Sequence, residues 1–215
     1  MEYTLRYREL LNVFRTESET TFAKTGVMLK YLPFHSVLPP SSFLVTSDAQ
    51  IRENIDFNFP VFLPDSKSKY KSVILMLHGL NERNWNKYLT WAESLCLSTG
   101  KPVILFPLAF HINRSPLSWS NPRYLKPLLD LRRTQTDNDR SLSFANLALS
   151  KRISENPFRF YLSGRQSLND ISTLVRQIKR GAYSFLSDNA QVDVFSYSIG
   201  SFLSQIAFLS DKEGL

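Results

Sequence analysis

Ile55, Phe57, Phe59, Val61 and Leu63 alternate with polar or smaller residues, the period-two signature of a half-buried strand. Pro60 inside this run predicts an edge position, because proline donates no ladder hydrogen bond. Asp65–Lys71 reads as a polar turn. Val73-Ile74-Leu75-Met76-Leu77 is then continuously apolar, as expected of a strand buried on both faces. Trp85, Tyr88, Leu89, Ala92, Leu95 and Cys96 follow at helical spacing, with Gly100 placed to end that helix. Val103–Phe106 is a second buried run. Strand, helix and strand in so short a stretch predict a βαβ unit, and hence a parallel sheet with a right-handed crossover.

A third unit comes later. Ser167-Leu168-Asn169-Asp170 reads as a capping box, from which Ile171, Leu174, Val175 and Ile178 form one helical face running toward Gly181. Val192–Phe195 is a short strand entering Ser196-Tyr197-Ser198-Ile199-Gly200 and a largely apolar helix, Phe202–Leu209. Two short helices are predicted near Arg123–Arg133 and Ser143–Ile153, followed by an extended Phe158–Leu162. Leu10, Leu11 and Phe14 indicate a short N-terminal helix. The stretch to Pro40 is broken by Pro33, Pro39 and Pro40 and yields no assignment.

Composition narrows the class. The 215 residues suit one domain, and the hydrophobic fraction of 43% with 21% charged residues excludes wholesale disorder. The apolar runs are too short to span a bilayer, and the charged start lacks a signal-peptide core, so a cytoplasmic location is expected. The lone Cys96 makes no internal disulfide and leaves no cysteine cluster for zinc. The net charge of +7 is concentrated: between His111 and Ser187 there are thirteen Lys/Arg and five Asp/Glu. This basic segment, residues 110–165 at its heart, leaves the carboxyl end of a strand, the side on which α/β sheets build sites. It reads as a lid-like insertion within a single domain spanning residues 1–215.

Two motifs carry chemistry. In Ser196-Tyr197-Ser198-Ile199-Gly200 a serine sits between strand and helix with small residues two before and two after it. A nucleophile elbow needs that spacing, because the two backbones approach closely and the turn holds the serine strained with its hydroxyl exposed. Upstream, an apolar strand ends in His78-Gly79-Leu80. The loop after such a strand supplies one backbone N–H of an oxyanion hole and the residue after the nucleophile supplies the other. The candidates are therefore Ser198 as nucleophile and the N–H groups of Leu80 and Ile199 as oxyanion donors.

On these residues the chain resembles the α/β-hydrolase superfamily, from about Ile55 to Leu209 with Phe110–Arg165 as an insertion. Asn81-Glu82-Arg83-Asn84-Trp85 and Phe106-Pro107-Leu108-Ala109-Phe110-His111 also look like a bacterial branch of that superfamily. The resemblance implies an α/β fold with a mostly parallel sheet, helices on both faces and a helical insertion before the nucleophile strand. It also implies hydrolysis of an ester, thioester or amide through an acyl-enzyme. One feature departs from it. The superfamily's order is Ser, then Asp or Glu, then His, yet after Ser198 come only Asp211 and Glu213 as acids, and no histidine. The chain then corresponds to the N-terminal part of a longer hydrolase, C-terminally incomplete and inactive alone. Alternatively it is a degenerate relative, or an upstream histidine substitutes.

Other readings stay beside this one. A non-catalytic α/β-hydrolase-like binding module is the alternative function, and an acidic polymer held by the insertion is a weaker third. No recognisable nucleic-acid module is present, so a small-molecule or acyl substrate is the expected partner and a solvated lid surface the expected fate of the basic charge. His78 reads as structural, hydrogen-bonded within its loop. His111 reads as a solvated or core-edge histidine, with approach to substrate as the alternative, and His35 carries no signal. Three histidines without ligand spacing imply no metal, and no phosphate-cradling glycine loop implies no nucleotide cofactor. Cys96 reads as packing. Trp119, Tyr124, Phe144, Phe158, Phe160 and Tyr161 are candidates to line an acyl or aryl pocket. Without later strands, Val192–Phe195 becomes an exposed apolar edge, which predicts self-association.

Overall fold

The apolar run Val73–Leu77 lies at the heart of a six-stranded sheet in the computed structural model, which describes residues 3–14, 18–38, 46–64, 69–136 and 141–210. The strands are β1 (Thr20–Thr21), β2 (Met28–His35), β3 (Asp56–Leu63), β4 (Tyr70–Leu77), β5 (Val103–Phe106) and β6 (Leu186–Ser196), in the spatial order β1-β2-β3-β5-β4-β6. The helices are α1 (Tyr3–Phe14), α2 (Thr46–Ala49), α3 (Arg52–Ile55), α4 (Leu89–Thr99), α5 (Pro122–Gln135), α6 (Phe144–Glu155), α7 (Arg159–Lys179) and α8 (Ile199–Ser210).

Alternate residues of β4 serve two cores. Val73, Leu75 and Leu77 pack with Ile104, Phe106 and the Ile171, Leu174 and Ile178 stripe of α7, whereas Ile74 and Met76 pack with Val103, Leu105 and the Leu89, Ala92 and Cys96 face of α4. Helices thus cover both faces. Because α4 and α7 leave neighbouring strands toward opposite faces, a crevice opens at the carboxyl ends of β4, β5 and β6. That crevice positions the site.

Several expectations need correction. The sheet is mixed rather than mostly parallel: β1–β2, β2–β3 and β3–β5 run antiparallel, and the parallel pairings are those of β4 with β5 and β6. Strands β1 to β3 form a meander, which needs no crossover helix. Pro60 is not at an edge, since β3 lies between β2 and β5. It is tolerated because the β5 ladder takes up only Val61 and Phe62. Residues 158–162 are not extended, since α7 starts at Arg159. Ser167 and Asp170 are therefore mid-helix and cap nothing. Strand β6 is much longer than Val192–Phe195 and forms one edge of the sheet.

The helix ends follow local chemistry. Gly100 (φ 64°) and Gly181 (φ 68°) take the left-handed conformation that closes α4 and α7. Asn121 and Ser143 cap α5 and α6 by accepting the N–H of Arg123 and Asn146. Helices α5 and α6 pack through Leu125, Leu129, Leu147 and Ala148 into a small core of their own. Among the described residues no helix is long and apolar enough to cross a membrane. The first part of the predicted turn (65–68), Pro39, Pro40, Asp211 and Glu213 lie outside the described residues.

Candidate active site

Strand β6 hands directly into α8 at Ser198, whose φ is +56°, a left-handed value costly for a residue with a Cβ. The corner is tied down on both sides. Tyr197 N–H donates to the Leu77 carbonyl at 3.1 Å, prolonging the β4–β6 ladder, and Gly200 N–H donates to the Tyr197 carbonyl at 3.0 Å. A Cβ on Gly200 would stand 2.8 Å from the His78 carbonyl oxygen and 2.9 Å from Leu77 Cβ. Only glycine lets the helix start this close to the end of β4. Ser198 is exposed, and its hydroxyl has no hydrogen-bond partner among the described residues.

The facing loop, 78–85, is braced from below. Tyr88 Oη accepts the Gly79 N–H at 2.8 Å and donates to Glu82 Oε1 at 3.1 Å, and Lys87 pairs with Glu82 at 2.5 Å. Lys87 Nζ also sits 4.1 Å from the centroid of the Tyr197 ring, which covers Gly79 so closely that a Cβ there would be 3.0 Å from the ring. The N–H of Gly79 is thus used. Those of Leu80 and Ile199 have no partner among the described residues.

Leu80 and Ile199 both line a cavity of about 480 Å³. Its walls are apolar, from Leu108, Phe110, Phe160, Leu168, Phe202 and Leu203 among others. Of the aromatics singled out in the insertion, Phe160 and Tyr161 reach this cavity. Trp119 instead stacks near Phe110, Phe144 packs against the α5–α6 core, and Tyr124 and Phe158 are exposed.

The three histidines separate clearly. His78 is buried, with Nδ1 on the Gly79 carbonyl at 2.8 Å and Nε2 accepting the Leu108 N–H at 2.9 Å, and burial lowers its pKa to about 4. His111 is buried too, not solvated. Its Nδ1 meets the Ala109 carbonyl at 2.9 Å, its Nε2 is buried without a partner, and its ring lies 5.3 Å from that of His78. Burial, then the neighbouring His78 and Arg152, lower its pKa to about 3, so it is a neutral member of the cavity wall. His35 pairs with Asp56 on the surface. Cys96 is fully buried and desolvation pushes its thiol up to about 12, which leaves it a packing residue.

The basic charge of the insertion is partly internal. Fully buried Arg114 pairs with Asp170 at 2.8 Å and donates to the Pro107 and Asn54 carbonyls. Ser36 Oγ donates to Asp170 and accepts from Arg114 and Gln166, while Asn54 joins Gln166 to the Phe110 N–H. Ser167 Oγ accepts the Ala109 N–H at 2.9 Å. This network locks the loop after β5 onto α7. Arg159 pairs with buried Asp48 at 2.7 Å. No periodicity announces such partners, so the arginines read from sequence as surface charge.

A serine at positive φ thus joins strand to helix at one edge of a mixed α/β sheet, and Ile199 after it and Leu80 after β4 line one cavity. Residues 1–215 match the family described as "Family of unknown function (DUF6051)", and the chain belongs to that family. The structure is similar to that of esterase Est22, with a TM-score of 0.47 and 15% identity, over 97% of this chain and 47% of that one. The chain thus spans about half the length of that esterase. No curated protein matches the sequence.

Proposed function

We propose that this chain carries the nucleophile and oxyanion hole of an α/β-hydrolase-like serine hydrolase acting on an ester, thioester or amide. The reading rests on one observation: Ser198, at φ +56°, stands between β6 and α8, immediately before Ile199, which with Leu80 lines the cavity, and the N–H groups of both have no partner among the described residues. Ser198 Oγ attacks the substrate carbonyl, and the two N–H groups hold the oxyanion. The leaving group departs with the serine proton, and water then releases the acid from the acyl-enzyme. Helices α5 and α6, within residues 110–165, form the lid.

The relay's acid and histidine lie outside residues 1–215 on this proposal. Both nitrogens of His78 are engaged, and His35 is paired with Asp56 at the far side of β2 and β3. His111 lines the cavity, but its unpartnered Nε2 is buried, and a pKa of about 3 makes it too weak a base at neutral pH. Residues 1–215 alone should therefore leave p-nitrophenyl butyrate untouched.

Fluorophosphonate labelling of the full gene product tests the reading. We expect the label on Ser198 and its loss in Ser198→Ala. A label on another residue, or none, removes the hydrolase and leaves the cavity as the site of a non-catalytic binding module.

We also propose that in residues 1–215 alone the β6 edge, where Val194 and Phe195 are half exposed, pairs with the same edge of a second copy. Sedimentation of residues 1–215 should show a dimer that Val194→Lys dissociates. A concentration-independent monomer contradicts it.

A further inference from the structure

The arginines around the cavity are not equivalent. Arg159 is paired with Asp48, and Arg165 is exposed to water. Arg152, on α6, lines the cavity with neither compensation. Its Nη1 and Nη2 reach only neutral acceptors, Asn81 Oδ1 and the Phe110 carbonyl, each at a long 3.3 Å, and its guanidinium lies 5.1 Å from the centroid of the Trp119 ring. Its Nε is buried without a partner, and no carboxylate among the described residues pairs with it. Arg83, whose Nη2 is likewise buried and unpartnered, adds to the same positive field. Desolvation first, then Arg159 and Arg83, lower the Arg152 pKa to about 10, which leaves it charged at neutral pH.

A charge largely withdrawn from water with no counter-charge is a feature that folding alone does not favour. The same chain pairs Arg114, Arg159 and Arg6 with carboxylates where a guanidinium is internal. Arg152 instead faces a cavity whose remaining wall is mostly apolar. Asn81, which accepts from Arg152, directly follows Leu80, so the cation stands beside the oxyanion loop. His111 is neutral and adds no second cation beside Arg152, so the charge to be matched there is the single one of a carboxylate.

We propose that Arg152 is the anion-recognising residue of this cavity, and that its ligand is an elongated apolar molecule carrying one carboxylate. This deepens the hydrolase reading and rests on it only for cleavage: the substrate class becomes esters or amides that also carry a free carboxylate. Arg152 then determines specificity, and the apolar walls seat the hydrocarbon.

Isothermal titration with octanoate and octanamide, equal in length and differing in charge, tests the assignment without turnover. In the wild-type protein octanoate should bind at least tenfold tighter. Arg152→Met should reduce that preference to about unity while octanamide affinity stays the same, and Ser198→Ala should leave both affinities unchanged. Equal binding of the two ligands by the wild type, or a preference that survives in Arg152→Met, overturns the proposal. Where Arg152→Met does not fold, Arg152→Gln, which keeps a polar side chain without the charge, should lose the same preference, and a preference that survives in it overturns the proposal equally. A carboxylate preference in a protein that fluorophosphonate fails to label removes the hydrolase and keeps this site. Labelling without the preference does the reverse.

Discussion

Two arginines of one insertion, Arg114 and Arg152, show what separates architecture from a site. Arg114 is fully enclosed, and its two Nη groups meet a carboxylate, two carbonyls and a hydroxyl, while its Nε has no partner among the described residues. Among those same residues Arg152, largely enclosed, meets no carboxylate, only two long bonds to neutral acceptors and the face of the Trp119 ring. The first fastens the loop after β5 to α7 and leaves nothing for a ligand to do. The second lines the cavity with no described carboxylate beside it. A countercharge marks the arginine of the scaffold, and its absence marks the arginine of the cavity.

Serines give the sharpest way to break this comparison. In the full gene product Ser198→Ala should lower turnover about a million-fold with the melting temperature unchanged. Ser36→Ala, inside the satisfied network, should do the opposite, keeping turnover and losing about 1–3 kcal/mol of stability. Activity surviving in Ser198→Ala removes the site, and a stable Ser36→Ala removes the network. Next come the arginines themselves. Arg114→Met strands Asp170 and should cost about 3–5 kcal/mol in urea unfolding, whereas Arg152→Met should stay within about 1 kcal/mol of wild type.

The two buried histidines sharpen the contrast through pH. His78 and His111 are held neutral, with pKa values of about 4 and about 3. A depressed histidine pKa means that the unfolded chain takes up protons first. Stability should therefore be flat above pH 7 and fall as pH drops through 6.5 toward 4, by about 2 kcal/mol for each ring at pH 5. His111→Leu should halve the loss, measured as urea midpoints at pH 7 and pH 5. A pH-independent midpoint would show that the rings are charged or exposed. The last effect is local. Gly200→Ala forces a Cβ against the His78 carbonyl and should cost about 1–3 kcal/mol while reducing labelling of Ser198.

The same contrast explains how much the sequence discloses. Strands β4 and β5 are legible because every residue of Val73–Leu77 and Val103–Phe106 is buried, and the α4 stripe because one face packs on β4. The strand–serine–helix corner is legible because Gly200 has to be small. Strand β3 is legible from its alternation, but its inner position and its partner β2 are not, because Pro33 and Pro60 lie inside paired strands and imitate a break or an edge. The start of α7 misleads for a similar reason: Phe158, Phe160 and Tyr161 are strand-formers by propensity, but α7 carries them toward the cavity or solvent. Ser167 and Asp170 have capping-box spacing, yet they serve Ala109 and Arg114, partners brought near only by the fold. Arg152 carries no local signal at all. Its meaning lies in what does not touch it.

The most direct test is a crystal structure of the protein with a boronic acid bonded to Ser198 Oγ. The account predicts that one boronate oxygen lies about 2.7–3.1 Å from the backbone nitrogens of both Leu80 and Ile199. A boronate oxygen turned to solvent or to side chains, with either N–H pointing elsewhere, would contradict it.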